Sequence, residues 1–107
     1  MTTKLIRDRI PEIAAARGQH LDTRVADTAE AAELLVAKLE EEALEVAEAD
    51  NRDDLLTELA DVLEALYALT QICGWTLDDL EAARIRKHAE RGGFDRQLVL
   101  TTADDPA

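Results

Sequence analysis

A chain of 107 residues suits one domain, and its formal net charge of −12 is the wrong sign for gripping a nucleic-acid polymer or an anionic membrane. Hydrophobic residues make up 47% of it but aromatic residues only 3%, so Ala and Leu carry the apolar content and helix is favoured over sheet. The single cysteine, Cys73, excludes an intramolecular disulfide, and no apolar run is long enough for a signal peptide or a membrane span, so a cytoplasmic setting is expected.

Residues 4–9 are basic and apolar by turns, with Lys4, Leu5, Ile6, Arg7 and Arg9. Asp8 reads as the cap of a short helix that has Pro11 in its first turn and runs to about Arg17, with Gly18 as its stop. Residues 20–26 have no helical period and read as extended. Asp27 or Thr28 caps the first long helix, which runs to about Ala49. At about 100° per residue, Ala32, Leu35, Val36, Leu39, Ala43 and Val46 form one apolar stripe. Glu42 falls about 20° from Leu35, at the edge of that stripe, and Glu45 roughly 60° further round, with Lys38 between them. A carboxylate at the rim of a core is costly unless it is paired or bound to metal. Pairing with Lys38, one turn earlier, is as good an account of Glu42 taken alone.

Asn51 caps the second long helix. Its Leu55, Leu59, Val62, Leu66, Leu69 and Cys73 form one stripe, and Glu58, Asp61, Ala65, Ala68 and Ile72 form a second. Two such faces describe the inner helix of a bundle. Helices this apolar in a chain this short gain from oligomerisation, so at least a dimer is expected. Gly74 ends the helix, and Thr76 opens a third, with Asp79 three residues on. That helix runs to about Arg91 and carries Arg84, Arg86, Lys87, His88 and Arg91. Beyond Gly92 and Gly93, residues 94–100 read as a short strand or extended tail able to pair with 20–26. Residues 1–3 and 101–107 are expected to fray. The expected fold is all-α: a single domain over 1–107, a helical bundle built on a long antiparallel helix pair, with short extended segments near 20–26 and 94–100.

The acids of the two long helices have a shared geometry. Glu42 and Glu45 lie nine and six residues before Asn51, and Glu58 and Asp61 lie seven and ten after it. Members of each pair are three apart and share a helix face. If the helices fold back on each other, both pairs come out at one height, roughly 10 to 15 Å from the turn. Four anions at one point repel unless a cation sits among them, and a hard divalent ion such as Mg²⁺ is the natural occupant, with Mn²⁺ as a substitute. The absence of Glu-x-x-His speaks against a di-iron bundle, and neither a Gly-rich phosphate loop nor a zinc spacing is present. His20 and His88 stand apart from the acids and read as surface or packing residues.

The pattern E-E-x-x-E, twelve residues, then E-x-x-D occurs as Glu41, Glu42, Glu45, Glu58 and Asp61. It resembles the motif of the MazG-like all-α nucleoside triphosphate pyrophosphohydrolases. The blocks K-L-I-R-D-R-I-P-E-I and R-G-G-F-D-R-Q-L-V-L look like the phosphoribosyl-ATP-pyrophosphohydrolase-like branch, so the resemblance covers about residues 4–100. It implies helical bundles that are homodimers or homotetramers, bind Mg²⁺, and cleave a nucleoside triphosphate to the monophosphate and pyrophosphate, with a role in clearing nucleotide pools. By the same resemblance Glu42, Glu45, Glu58 and Asp61 are the metal ligands, and Lys38 matches a basic position before the acid motif. Glu41 supports a ligand, meets another metal ion or holds the attacking water. Glu41 or Glu45 takes the proton, and Lys38 with Lys87, Arg91 or Arg96 meets substrate phosphate. Two other readings stand beside this one: the phosphoribosyl-ATP hydrolase of histidine biosynthesis, and a non-enzymatic helical interaction module.

Overall fold

The computed structural model describes residues 3–102. They form four helices: α1 (Ile10–Ala16), α2 (Thr28–Ala47), α3 (Arg52–Ile72) and α4 (Leu77–Arg91). The fold is all-α, as expected, and no strand occurs among the described residues. Residues 20–26 are irregular and residues 94–97 turn on themselves, so neither expected extended segment becomes a strand. The β-favouring side chains of the second stretch have no ladder partner to hold them: Leu98 and Val99 are 75% and 82% exposed. The fraying expected for 1–3 and 101–107 falls largely outside the described residues.

The chain divides into two compact units, Met1–Leu77 and Asp78–Ala107. In the first, α2 and α3 pack on each other as a helical hairpin. Both begin on a side-chain cap. The Asp27 carboxylate accepts from the backbone N–H of Glu30 at 2.8 Å, and the Asn51 side-chain carbonyl accepts from Asp54 N–H at 2.9 Å. α3 stops at a glycine in the left-handed region, Gly74 with φ 92°. Gly74 N–H returns to the Gln71 carbonyl and Trp75 N–H to that of Thr70, a pair of bonds that closes the helix end. Asp8 does not cap α1. The N-terminal position is Arg9, whose side chain makes no cap bond; a turn with Ile10 N–H on the Arg7 carbonyl starts the helix instead, and Pro11 sits where its missing N–H is harmless.

The core is thin: Ala14, Ala31, Leu35 and Ala65 are its buried apolar residues. On α3 the buried face is the one that carries Glu58, Asp61 and Ala65. The wholly apolar stripe is covered only in part: Val62, Leu66 and Leu69 are half-buried, while Leu55 and Leu59 are 38% and 48% exposed and Cys73 is exposed too. On α2, Val36 and Ala43 of the expected stripe are also exposed. Periodicity identified both faces of α3, but a single hairpin partner buries the acid-bearing face more fully than the other.

Candidate metal centre

Two turns of helix supply the acids. Glu42 and Glu45 come from α2, and Glu58 and Asp61 from the facing stretch of α3, at the height their spacing from Asn51 requires. One carboxylate oxygen from each lies within 4.8 Å of the others. Ligand oxygens around a six-coordinate Mg²⁺ are about 3 to 4.2 Å apart, so small side-chain rotations bring these four into range. Glu42 is buried, and the other three are half-buried.

Two atoms test whether a cation fits. Glu42 Oε2 and Glu58 Oε2 are buried with no hydrogen-bond partner. A carboxylate oxygen cut off from water and left unpaired is costly, and a divalent cation would satisfy both. Burial first, and then the hydrogen bond and charge of Glu45, push the Glu42 carboxyl above the ordinary carboxylate range. Lys38 pulls it the other way, with Nζ 3.5 Å from Glu42 Oε1. Lys38 does pair with Glu42, therefore, but its ammonium is shared with Glu41 at 3.4 Å and leaves the second Glu42 oxygen unmet.

Glu41 lies outside the group of four and faces Lys38 and Lys4, the latter at 3.9 Å. Lys87 and Arg91 on α4 and Arg96 beyond it belong to the second unit and are exposed. One neighbour of the acids was not singled out by pattern. Arg7 donates from Nη2 to Asp61 Oδ1 at 2.7 Å. The signal for it was the basic and apolar alternation of residues 4–9, which has no helical period from which to assign a facing partner.

A cavity of about 440 Å³ adjoins the cluster and shares Glu42 and Asp61 with it. Leu5, Ile6, Ile13 and Leu35 give it apolar walls, while Arg7, Arg9 and Lys38 line it with cations. Each of those cations is held by an acid: Arg7 by Asp61, Arg9 by Glu12, and Lys38 by Glu41 and Glu42. A four-carboxylate cluster beside a partly apolar cavity suits a metal-assisted reaction on a molecule with a polyanionic end and a less polar end.

A family model described as phosphoribosyl-ATP pyrophosphohydrolase matches residues 4–88. No curated protein and no solved structure matches the chain.

Proposed function

Since the chain belongs to the phosphoribosyl-ATP pyrophosphohydrolase family, and so is a hydrolase acting on a phosphoric anhydride of a nucleotide, we propose that its reaction is Mg²⁺-dependent cleavage of a nucleoside triphosphate to the monophosphate and pyrophosphate. The observation that carries this is the convergence of Glu42, Glu45, Glu58 and Asp61, two of them with a buried oxygen that lacks a partner. These four residues are the metal ligands in this reading. The bound cation supplies charge neutralisation at the triphosphate and a more acidic water. Glu45 or Glu41 accepts the proton as the water oxygen bonds to the α-phosphorus. The bond from the α-phosphorus to the bridging oxygen breaks, and pyrophosphate leaves with the electron pair. Lys38, with one of Lys87, Arg91 and Arg96, stabilises charge on the leaving pyrophosphate in this reading.

The family description favours phosphoribosyl-ATP as the second substrate reading. That molecule carries a further phosphate on a second ribose, which calls for a further cation. The reading treats 1–107 as one functional domain, because the family match crosses from the first unit into the second. It also includes a homodimer or homotetramer. Leu56, Leu59, Leu63 and Tyr67 lie on the side of α3 opposite its acids and are between 37% and 69% exposed, the face an inner bundle helix would bury.

Pyrophosphate release from a panel of canonical and modified nucleoside triphosphates and from phosphoribosyl-ATP, with Mg²⁺ and with EDTA, tests the proposal. Mg²⁺-dependent pyrophosphate from a triphosphate is the expected result. Orthophosphate would mean cleavage at another bond, and release from phosphoribosyl-ATP alone would move the chain to the second reading.

A further inference from the structure

Residues 3–9 have no regular secondary structure, yet they are pinned to the hairpin. Leu5 and Ile6 are half-buried in the cavity wall. Between these anchors and α1, the Arg7 guanidinium reaches Asp61 at 2.7 Å, and the Arg7 side chain is 55% exposed. Asp61 Oδ1 therefore faces a cation of the chain's own. A divalent ion taken up by the other oxygen of Asp61 would repel that guanidinium across one carboxylate and weaken the pair.

Arg7 and Lys38 differ in how free they are to leave. Lys38 is 22% exposed, rises from a helix and is shared by two acids on that helix. Arg7 is half in solvent and bound to one acid, and its backbone is held by Leu5 and Ile6 rather than by the ion pair. It can swing without disturbing buried packing. Its planar fork of donors also matches phosphate oxygens, and it lines the same cavity as Glu42 and Asp61.

We propose that Arg7 is an exchange residue: it neutralises Asp61 in the metal-free chain, releases that carboxylate to the divalent cation, and then binds a phosphate oxygen of the substrate. The proposal rests on the metal-centre reading above and adds to it a residue from outside the acid motif. It predicts effects of opposite sign on two affinities, which a purely structural arginine would not produce.

The test uses the full chain in two titrations. The first is Mn²⁺ binding without nucleotide, followed by the electron paramagnetic resonance signal of free Mn²⁺. The second is binding of α,β-methylene-ATP to the Mn²⁺-saturated chain. Arg7→Ala should bind Mn²⁺ roughly two- to fivefold more tightly than wild type, the scale of one exposed ion pair. It should bind the nucleotide analogue about tenfold more weakly, the scale of one charged hydrogen bond. Arg7→Lys should restore wild-type Mn²⁺ affinity but only part of the nucleotide affinity, because the fork is lost. Arg9→Ala removes the same charge from a guanidinium that holds Glu12, and should alter Mn²⁺ affinity by less than about twofold. Circular dichroism of each variant verifies that its helices are intact. Unchanged or weaker Mn²⁺ binding by a folded Arg7→Ala would overturn the competition, and unchanged nucleotide binding would overturn the transfer to phosphate. Wild type that binds no Mn²⁺ would overturn the metal-centre reading and this proposal with it, an outcome distinct from the other two.

Discussion

Glu42 is where burial and charge oppose each other most directly. It is 6% exposed, has one oxygen without a partner, and sits beside Glu45 and Asp61 with Lys38 as its compensating charge. The folded, metal-free chain holds the Glu42 proton more tightly than an unfolded chain does, because its carboxyl is raised. Glu42 therefore favours the folded state at low pH, and that contribution is lost as pH rises from the ordinary carboxylate value through the raised one. Glu30, lowered by Arg24, acts in the opposite sense at lower pH, so the difference between variant and wild type is the informative quantity. In EDTA, Glu42→Gln should melt above wild type near neutral pH, and the gap should close as the pH falls into the carboxylate range. A gap independent of pH would show that Glu42 is not the group responsible. With Mg²⁺, Glu42→Gln and Asp61→Asn should each lower turnover about 100-fold or more, since even residues that only support metal ligands cost 10- to 100-fold. Near-normal turnover in both would remove these residues from the site. Spacing alone brought the four acids together, because two helices and one turn leave them little freedom. Arg7 was not legible in the same way, since an irregular segment offers no period from which to compute a facing partner.

At the scale of the elements, the signals that read most cleanly were local ones. Asp27 and Asn51 cap α2 and α3 as their positions suggested, and Gly18, Gly74 and Gly92 all adopt positive φ at helix ends. A cap involves a few consecutive residues, so the sequence holds the whole interaction. Asn51→Ala should cost about 1 kcal/mol in urea unfolding. Gly74→Ala should also cost about 1 kcal/mol, entirely from its backbone, because an added Cβ meets nothing within 4 Å. A cost near zero at either position would mean that these ends fray before the hairpin unfolds. Burial was harder to read. Two buried faces were expected on α3, yet α2 packs on the one with Glu58, Asp61 and Ala65, and Leu55 and Leu59 of the other stay exposed. Which of two apolar faces is buried depends on the neighbour. Residues 94–100 failed for a related reason, since strand-forming side chains become a strand only where another strand accepts their hydrogen bonds.

For the whole molecule, the thin core and the exposed leucines of α3 belong together. Four buried apolar residues in the described part are few for a stable domain, so the missing burial is expected from a second copy against Leu56, Leu59 and Leu63. Leu59→Lys with Leu63→Lys should shift the chain toward monomer in sedimentation equilibrium and lower its melting temperature, and wild-type melting should rise with protein concentration. A wild type that is monomeric at every concentration would remove oligomerisation from the reading. No helix among the described residues is long and apolar enough to cross a membrane, so these leucines are not explained by a bilayer span. The charge of −12 sets a control on the metal experiments: Mg²⁺ should stabilise the chain beyond a monovalent salt of equal ionic strength.

The two unpartnered oxygens of Glu42 and Glu58 also bear on how such a chain would respond to selection. They are a liability to folding that only ligand binding would relieve, so durability and function pull on the same side chains in opposite directions. Directed evolution for heat resistance in a chelating medium should drift first to Gln or Leu at positions 42 and 58. The same library grown under a demand for turnover should keep both acids and collect its gains elsewhere.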